Sequence, residues 1–370
     1  MHAMTARMLG WKSNLLLVAA ALACGAVVAP TGAAFGAACD SDSSETAAVL
    51  IAACDTIIEA APTASFQVNA LLVRAEAYRR DGQIKSALAD LDRAIALQPS
   101  PAAAIAAYRA RGDIHRQASD LTLAIDDYSA AIRLEPGNVE LLEARAGALA
   151  TAKRFNQALD DYDAAIRLNP QSAQLFSRRA ATFVAMRDRR LAIRDFTEAI
   201  RLNPGLIQSY LDRAAVFSKI RRTDLAIDDE TMAIRLDPTA AESYDRRGQT
   251  YARNSAYDRA IADYGEAIRL KPAAPFYLHR GVAYQLKGDP DRAIADYDLA
   301  LALDDRLALA LHNRGMAKWK KNDRTGAAND FAAAIAIEPD LEIAVEHSRA
   351  LAAEMGSRNG RRAPQLPVTR

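Results

Sequence analysis

The sequence predicts an all-α chain, a right-handed solenoid of eight tandem helix-turn-helix repeats closed by N- and C-terminal cap helices. Three observations carry that expectation. The first is a proline register. Pro136, Pro170, Pro204, Pro238 and Pro272 stand 34 residues apart, Pro99 precedes them by 37, and Pro339 follows Pro272 by 67 with Asp305 in the missing place. The second is a set of columns that hold in every repeat. A small residue stands 24 positions before each repeat end (Ala75, Gly112, Ala146, Ala180, Ala214, Gly248, Gly281, Gly315) and an arginine always precedes it, from Arg74 to Arg314. An alanine follows at twelve and again at nineteen, and an aspartate column runs from Asp90 to Asp330. The third is helical spacing: a bulky residue four before the small one, the small residue and the residue three after it share one face at 100° per residue. A second helix answers with alanine, an aliphatic residue, an aromatic and alanine, as in Ala260, Ile261, Tyr264 and Ala267. So small a helix pair cannot bury its apolar face alone, and neighbours must stack.

In chain order, residues 1–38 read as a cleaved secretory signal. Arg7 and Lys12 precede an apolar run from Leu15 to Ala29, too short and alanine-rich for a membrane span, followed by Pro30 and small residues up to Ala38. An uncleaved anchor, or a lipid on Cys24 or Cys39, is the alternative. Residues 39–67 read as a half repeat capping the core, with Leu50, Ile51, Cys54, Ile57 and Ile58 echoing second-helix positions. Export would leave Cys39 and Cys54 as an even pair in an oxidising compartment, a disulfide candidate. The repeats fill residues 68–341. Asp289-Pro290 reads as an N-cap with proline at the first helical position, Thr239 to Glu242 as a capping box, and each closing proline as a helix stop. Three extra residues near Ala102 to Ala104 read as a longer link after the first repeat, and His115, Lys318 and Glu230 stand where bulky or aromatic residues are expected. Looser packing is expected there. Residues 342–355 read as a C-terminal cap helix, and 356–370 as a basic, disordered tail.

These columns resemble the tetratricopeptide repeat family, in the bacterial variety written YxxRGxxY followed by AIxDYxxAIxLxP. Tyr244, Arg247, Gly248, Tyr251, Ala260, Ile261, Asp263, Tyr264, Ala267, Ile268, Leu270 and Pro272 match within one repeat. The resemblance covers Val68 to Leu341 and implies protein partners and help in assembling, secreting or localising complexes. It also implies that the residues three before, one after and four or five after the small residue line a concave groove.

Charge narrows the function classes. Without residues 1–38 the chain carries 45 basic and 46 acidic residues, a net −1 that offers no general attraction for nucleic acid. No Gly-rich phosphate loop, H-E-x-x-H or nucleophile elbow occurs, and repeats and caps leave no room for a catalytic domain, so no enzyme and no cofactor is expected. Asp245, His279 and His312 fall on neighbouring first helices, but their one-repeat spacing is too loose to read as a metal site. The arginine and aspartate columns mark no single place, so they read as an ion pair serving each unit.

Binding should lie in columns that vary. The first two repeats present Arg79, Arg80, Arg109 and Arg116 with Glu76 and Asp113, the middle presents small residues, and the last two present Leu278, Val282, Leu286, Met316 and Trp319. An apolar cluster on a wet face reads as a peptide anchor, with the arginines facing an acidic end of the partner; the other reading is that Met316 and Trp319 pack on the final cap helix. The lysines and asparagines with which some family members hold chaperone tails are absent from these columns. The sequence therefore points to an exported, periplasmic, non-catalytic scaffold or adaptor that binds unidentified proteins, neither nucleic acid nor, beyond the signal, membrane. A docking subunit of an enzyme or secretion complex, and an RNA-reading helical-repeat protein, are the rivals.

Overall fold

The computed structural model describes residues 46–60 and 63–360, with side chains to residue 356; the signal segment, Cys39 and the last ten residues lie outside the described residues. Among the described residues there are eighteen helices and no strand. The chain divides into two compact units at Gln171 and Ser172. The N-terminal unit holds α1 (Ala47–Ala60), α2 (Ala64–Arg80), α3 (Ile84–Ala96), α4 (Pro101–Gln117), α5 (Leu121–Leu134), α6 (Val139–Thr151) and α7 (Phe155–Leu168). The C-terminal unit holds α8 (Ala173–Ala185), α9 (Arg189–Leu202), α10 (Ile207–Lys219), α11 (Thr223–Leu236), α12 (Ala241–Arg253), α13 (Tyr257–Leu270), α14 (Ala274–Lys287), α15 (Pro290–Leu303), α16 (Ala308–Lys320), α17 (Arg324–Ile337) and α18 (Glu342–Gly360). In both units an even-numbered helix pairs with the odd-numbered one after it, and each pair packs on the next within its unit, the stacked helix-pair architecture of an α-solenoid.

In four of the pairs the second-helix ring lies against the glycine of the first helix. A Cβ built on Gly248 would meet Tyr264 ring carbons at 2.7 and 2.9 Å, and one on Gly281 would meet the Tyr297 ring at the same distances. Glycine is what lets those helices close. The ring column is buried as Tyr128, Tyr162, Phe196, Tyr264, Tyr297 and Phe331, and the alanines flanking it are fully buried.

The arginine and aspartate columns meet in all eight repeats. Arg74 pairs with Asp90, Arg111 with Asp127, Arg145 with Asp161, Arg179 with Asp195, Arg213 with Asp229, Arg247 with Asp263, Arg280 with Asp296 and Arg314 with Asp330, with closest N–O distances of 2.6–2.8 Å. Every aspartate is buried. A planar guanidinium can grip a carboxylate with two N–H groups and still offer a third. Here Nη1 reaches back to the preceding second helix: Arg74 to Asp55, Arg111 to Asp92, Arg145 to Ser129, Arg213 to Thr197, Arg247 to Thr231 and Arg314 to Asp298. One side chain therefore ties two helices of its own repeat to the repeat before. Helix α1 supplies Asp55 to this ladder and buries Leu50, Cys54, Ile57 and Ile58, so it acts as the second helix of an incomplete repeat. Cys54 is disulfide-bonded.

Several local readings change. The three extra residues near Ala102 to Ala104 do not lengthen a link; they lie inside the 17-residue α4, which Ser100 caps and Pro101 starts. The Thr239 capping box is absent because Asp237 captures Thr239, accepting from its N–H at 2.9 Å and its hydroxyl at 2.7 Å, so α12 begins later with no side-chain cap. Asp289 does cap α15, accepting from Arg292 N–H at 3.1 Å. Lys318 does not loosen its repeat, since its Nζ reaches Asp330 at 2.8 Å beside Arg314. Helix α18 continues past Met355 to Gly360, so residues 356–360 are helical; the rest of the expected tail lies outside the described residues.

One column escaped the sequence reading. Seven residues after each small residue the chain takes positive φ: Gly82 (76°), Ser119 (67°), Lys153 (60°), Arg187 (64°), Arg221 (62°), Ser255 (58°), Gly288 (94°) and Asn322 (68°). Each closes its first helix in the same way; in repeat four, Asp188 N–H donates to Phe183 O and Arg187 N–H to Val184 O. A β-carbon in this left-handed region costs about 1 kcal/mol that glycine avoids. Lys153→Gly should therefore stabilise the N-terminal unit by about 1 kcal/mol in urea titration, whereas Asn322→Gly should change little, because asparagine tolerates this region.

Candidate partner-binding surfaces

On α2 and α4, Glu76 sits between two of the predicted arginines: Arg79 grips it through Nε and Nη2 at 2.7 and 2.8 Å, and Arg80 Nε donates at 2.9 Å. The Arg79 hydrogen bonds, reinforced by Arg80, hold the Glu76 carboxyl below its usual range. Asp113 accepts from the Tyr128 hydroxyl at 2.7 Å, and Arg116 donates to the same hydroxyl at 3.3 Å. Arg109 is exposed and makes no hydrogen bond or ion pair among the described residues. Three of the four arginines thus engage two carboxylates, leaving a positive surplus on this face.

The apolar residues at the far end are placed differently from the sequence reading. Leu278 is buried with Ala293, Tyr297, Ala310 and Ala317, and Val282 packs against that cluster. Ala310 and Ala317 bring α16 into that same cluster. Met316 and Trp319 pack with Phe331 and Leu351. Trp319 Nε1 donates to Glu354 Oε2 at 2.9 Å, and Arg324 Nη2 donates to Glu354 Oε1 at 2.8 Å. Helix α18 therefore covers this pair. Of the five only Leu286 remains open, at 55% exposure.

Of the three residues weighed as metal ligands, His279 and Asp245 meet and His312 turns away. His279 Nδ1 lies 2.6 Å from Asp245 Oδ1, and Gln249 Nε2 donates to Asp245 Oδ2 at 2.8 Å. His312 turns to α18, its Nε2 lying 2.9 Å from His347 Nδ1 with the two rings stacked. No group of three metal-ligating side chains occurs among the described residues.

His312 is buried against Phe331, with Trp319 beyond His347. Burial lowers its pKa below the ordinary 6.5, the hydrogen bond with Asn313 opposes it less strongly, and His347 adds a smaller lowering. The unfolded chain takes up this proton first as pH falls, so stability present above pH 6.5 is lost on acidification through the lower folded value. Docking of α18 should therefore loosen below pH 6.5. In the chain lacking residues 1–38 Trp319 is the single tryptophan, so its emission should shift to the red over that window in the wild type and not in His312→Phe.

A second exposed surface lies at the turns of repeats four and five, where the sequence reads Arg187, Asp188, Arg189, Arg190 and then Ile220, Arg221, Arg222. An open pocket of about 750 Å3 is lined there by Met186, Ile193 and Ile220 together with Arg187, Asp188, Arg189 and Arg190. Arg187, Arg189, Arg190 and Arg221 make no side-chain hydrogen bond or ion pair among the described residues. Asp188 is engaged in capping α9 through Leu191 N–H. Sequence reasoning passed over this cluster because it weighed helix faces and not turns; the signal was a pair of arginines, Arg187 and Arg221, 34 residues apart in one column.

The sequence model of the tetratricopeptide repeat matches residues 72–138, 109–173 and 246–308. These stretches belong to the tetratricopeptide repeat family. A tetratricopeptide repeat protein from Parabacteroides merdae superposes with a TM-score of 0.51 at 19% identity, over 67% of this chain and 98% of that one. The C-terminal part of a tetratricopeptide repeat-containing protein from Cytophaga hutchinsonii superposes with a TM-score of 0.54 at 18% identity, over 64% and 97%. At such identities the likeness is one of fold. No curated protein sequence matches the chain significantly. In this tetratricopeptide array the arginines and aspartates common to every repeat are spent on one another.

Proposed function

We propose that the chain is a non-catalytic scaffold of the bacterial cell envelope that holds a segment of a partner protein on the exposed side chains of its repeats. The observation that carries this reading is the use of the repeated polar groups: all eight arginine–aspartate pairs are closed internally, so chemistry toward other molecules falls to side chains that vary from repeat to repeat. Arg79, Arg80, Arg109 and Arg116 form one such set and suit an acidic stretch of partner. The leader-like residues 1–38 support export, after which Cys54 would meet an oxidising compartment.

Crosslinking in cells, fractionation and purification of the full chain test the reading. The chain should be recovered from the envelope fraction without its first 38 or so residues and with at least one stoichiometric protein. Recovery from the cytoplasm with the leader intact would overturn export. Absence of any crosslinked protein would overturn the scaffold.

A further inference from the structure

We propose that the turn edge of repeats four and five is a docking site for an acidic protein segment that carries one bulky apolar side chain. The proposal deepens the scaffold reading and rests on it. Met186 and Ile220 are 38% and 39% exposed at the pocket, and with Ile193 they give it an apolar floor. Arg187, Arg189 and Arg190 stand around that floor, and Arg221 follows Ile220 in the next turn. Three carboxylates of this stretch already have partners: Asp188, itself in the lining, caps α9, Asp195 pairs with Arg179 and Arg194, and Asp224 pairs with Arg222.

The cluster is also a local departure in charge. The matching turns of repeats six and seven carry Asp258, Asp289 and Asp291, whose partners are Lys287, Arg292 and Lys321. Charge there is balanced within the fold. At repeats four and five it is not, and two of the unbalanced arginines occupy the left-handed position where glycine would serve the turn better.

Shape and composition choose among anionic partners. An apolar floor inside a ring of guanidinium groups suits one aliphatic or aromatic side chain flanked by carboxylates, which arginine grips in a planar fork. Nucleic acid held without sequence preference stacks its bases on aromatic rings, and no aromatic residue lines the pocket. A membrane surface rewards a broad basic field, whereas this one is interrupted by Asp188, Asp224 and Asp228.

The test presents the full chain to a displayed library of random peptides about twelve residues long, the typical reach of one groove-bound segment. In parallel it is offered vesicles rich in phosphatidylglycerol and a single-stranded oligonucleotide. Arg189→Glu/Arg190→Glu and Ile220→Asp serve as comparison chains, each checked for unchanged helicity. Enriched peptides should carry several acidic residues around one large apolar residue, and synthetic copies should bind the charge-reversed variant about tenfold or more weakly. The same loss should appear with Ile220→Asp and not with Arg109→Glu. Enriched peptides without acidic residues, or affinities unchanged in the variants, would overturn the proposal. Vesicle or oligonucleotide binding lost in the variants, with no peptide enriched, would overturn the protein partner. An unaffected crosslinked partner would then leave the scaffold reading intact, and the absence of any crosslinked partner would remove both.

Discussion

Replacing Arg247 with alanine should destabilise the C-terminal unit by about 3 kcal/mol, the lower end of what breaking a buried ion pair costs, since a fifth of the arginine remains exposed. Asp263 would keep its charge without either of its two donors, at 2.8 Å each. Thr231 would also lose the guanidinium that joins it to the next repeat, and the rings of Tyr244 and Tyr251, which flank the arginine, would lose their contact with it. Urea titration should show the loss, and amide exchange should place it in α12, α13 and their neighbours, because a stacked array opens locally. Removing both charges as Arg247→Met/Asp263→Leu should recover most of it. Unchanged protection in the single variant would mean that the ladder contributes nothing to the joints.

Glu230→Gln should stabilise the same unit by about 3 kcal/mol at pH 8 and by almost nothing at pH 4, the energy following from the shift described next. Glu230 stands where other repeats place a ring, buried with one carboxyl oxygen accepting from Thr250 at 2.8 Å and the other without a partner. Burial pushes its pKa from 4.5 up to about 7, with Thr250 and then Arg253, Arg247 and Arg246 pulling less strongly the other way. The unfolded chain releases this proton near pH 4.5 and the folded chain near 7, so the contribution is whole below pH 4.5 and lost as pH rises through 7. Glutamine keeps an acceptor for Thr250 and carries no charge at any pH. Parallel urea titrations across that window should diverge, and curves that stay parallel would place the titration elsewhere.

The helix pairs were legible because proline, alanine and arginine recur where the fold needs a stop, a close approach and a charge. Glu230 was legible as a misfit in its column, though not as a titrating group, since burial depends on neighbours that the column does not show. The left-handed turn position was hidden because only Gly82 and Gly288 mark it with glycine, while Lys153, Arg187 and Arg221 occupy it in three other repeats. Thr239 misled because a side chain two residues earlier competes for the hydroxyl that a capping box would use. Trp319 and Met316 were placed in the right column but on a covered surface. Helix α18 stacks like the first helix of another repeat, putting His347 35 residues after His312, and only Ser348, Arg349 and Ala350 hinted at that in the sequence.

The third hydrogen bond made by six of these arginines differs along the chain in how it answers to ionic strength. At Arg74, Arg111 and Arg314 the acceptor is an aspartate, and those aspartates are 48%, 62% and 55% exposed. At Arg145, Arg213 and Arg247 it is a neutral hydroxyl. Salt screens exposed ion pairs and leaves neutral hydrogen bonds almost untouched. Added electrolyte therefore relaxes the first joints of the N-terminal unit and the last repeat junction of the C-terminal one, while the joints built on Ser129, Thr197 and Thr231 keep their stiffness.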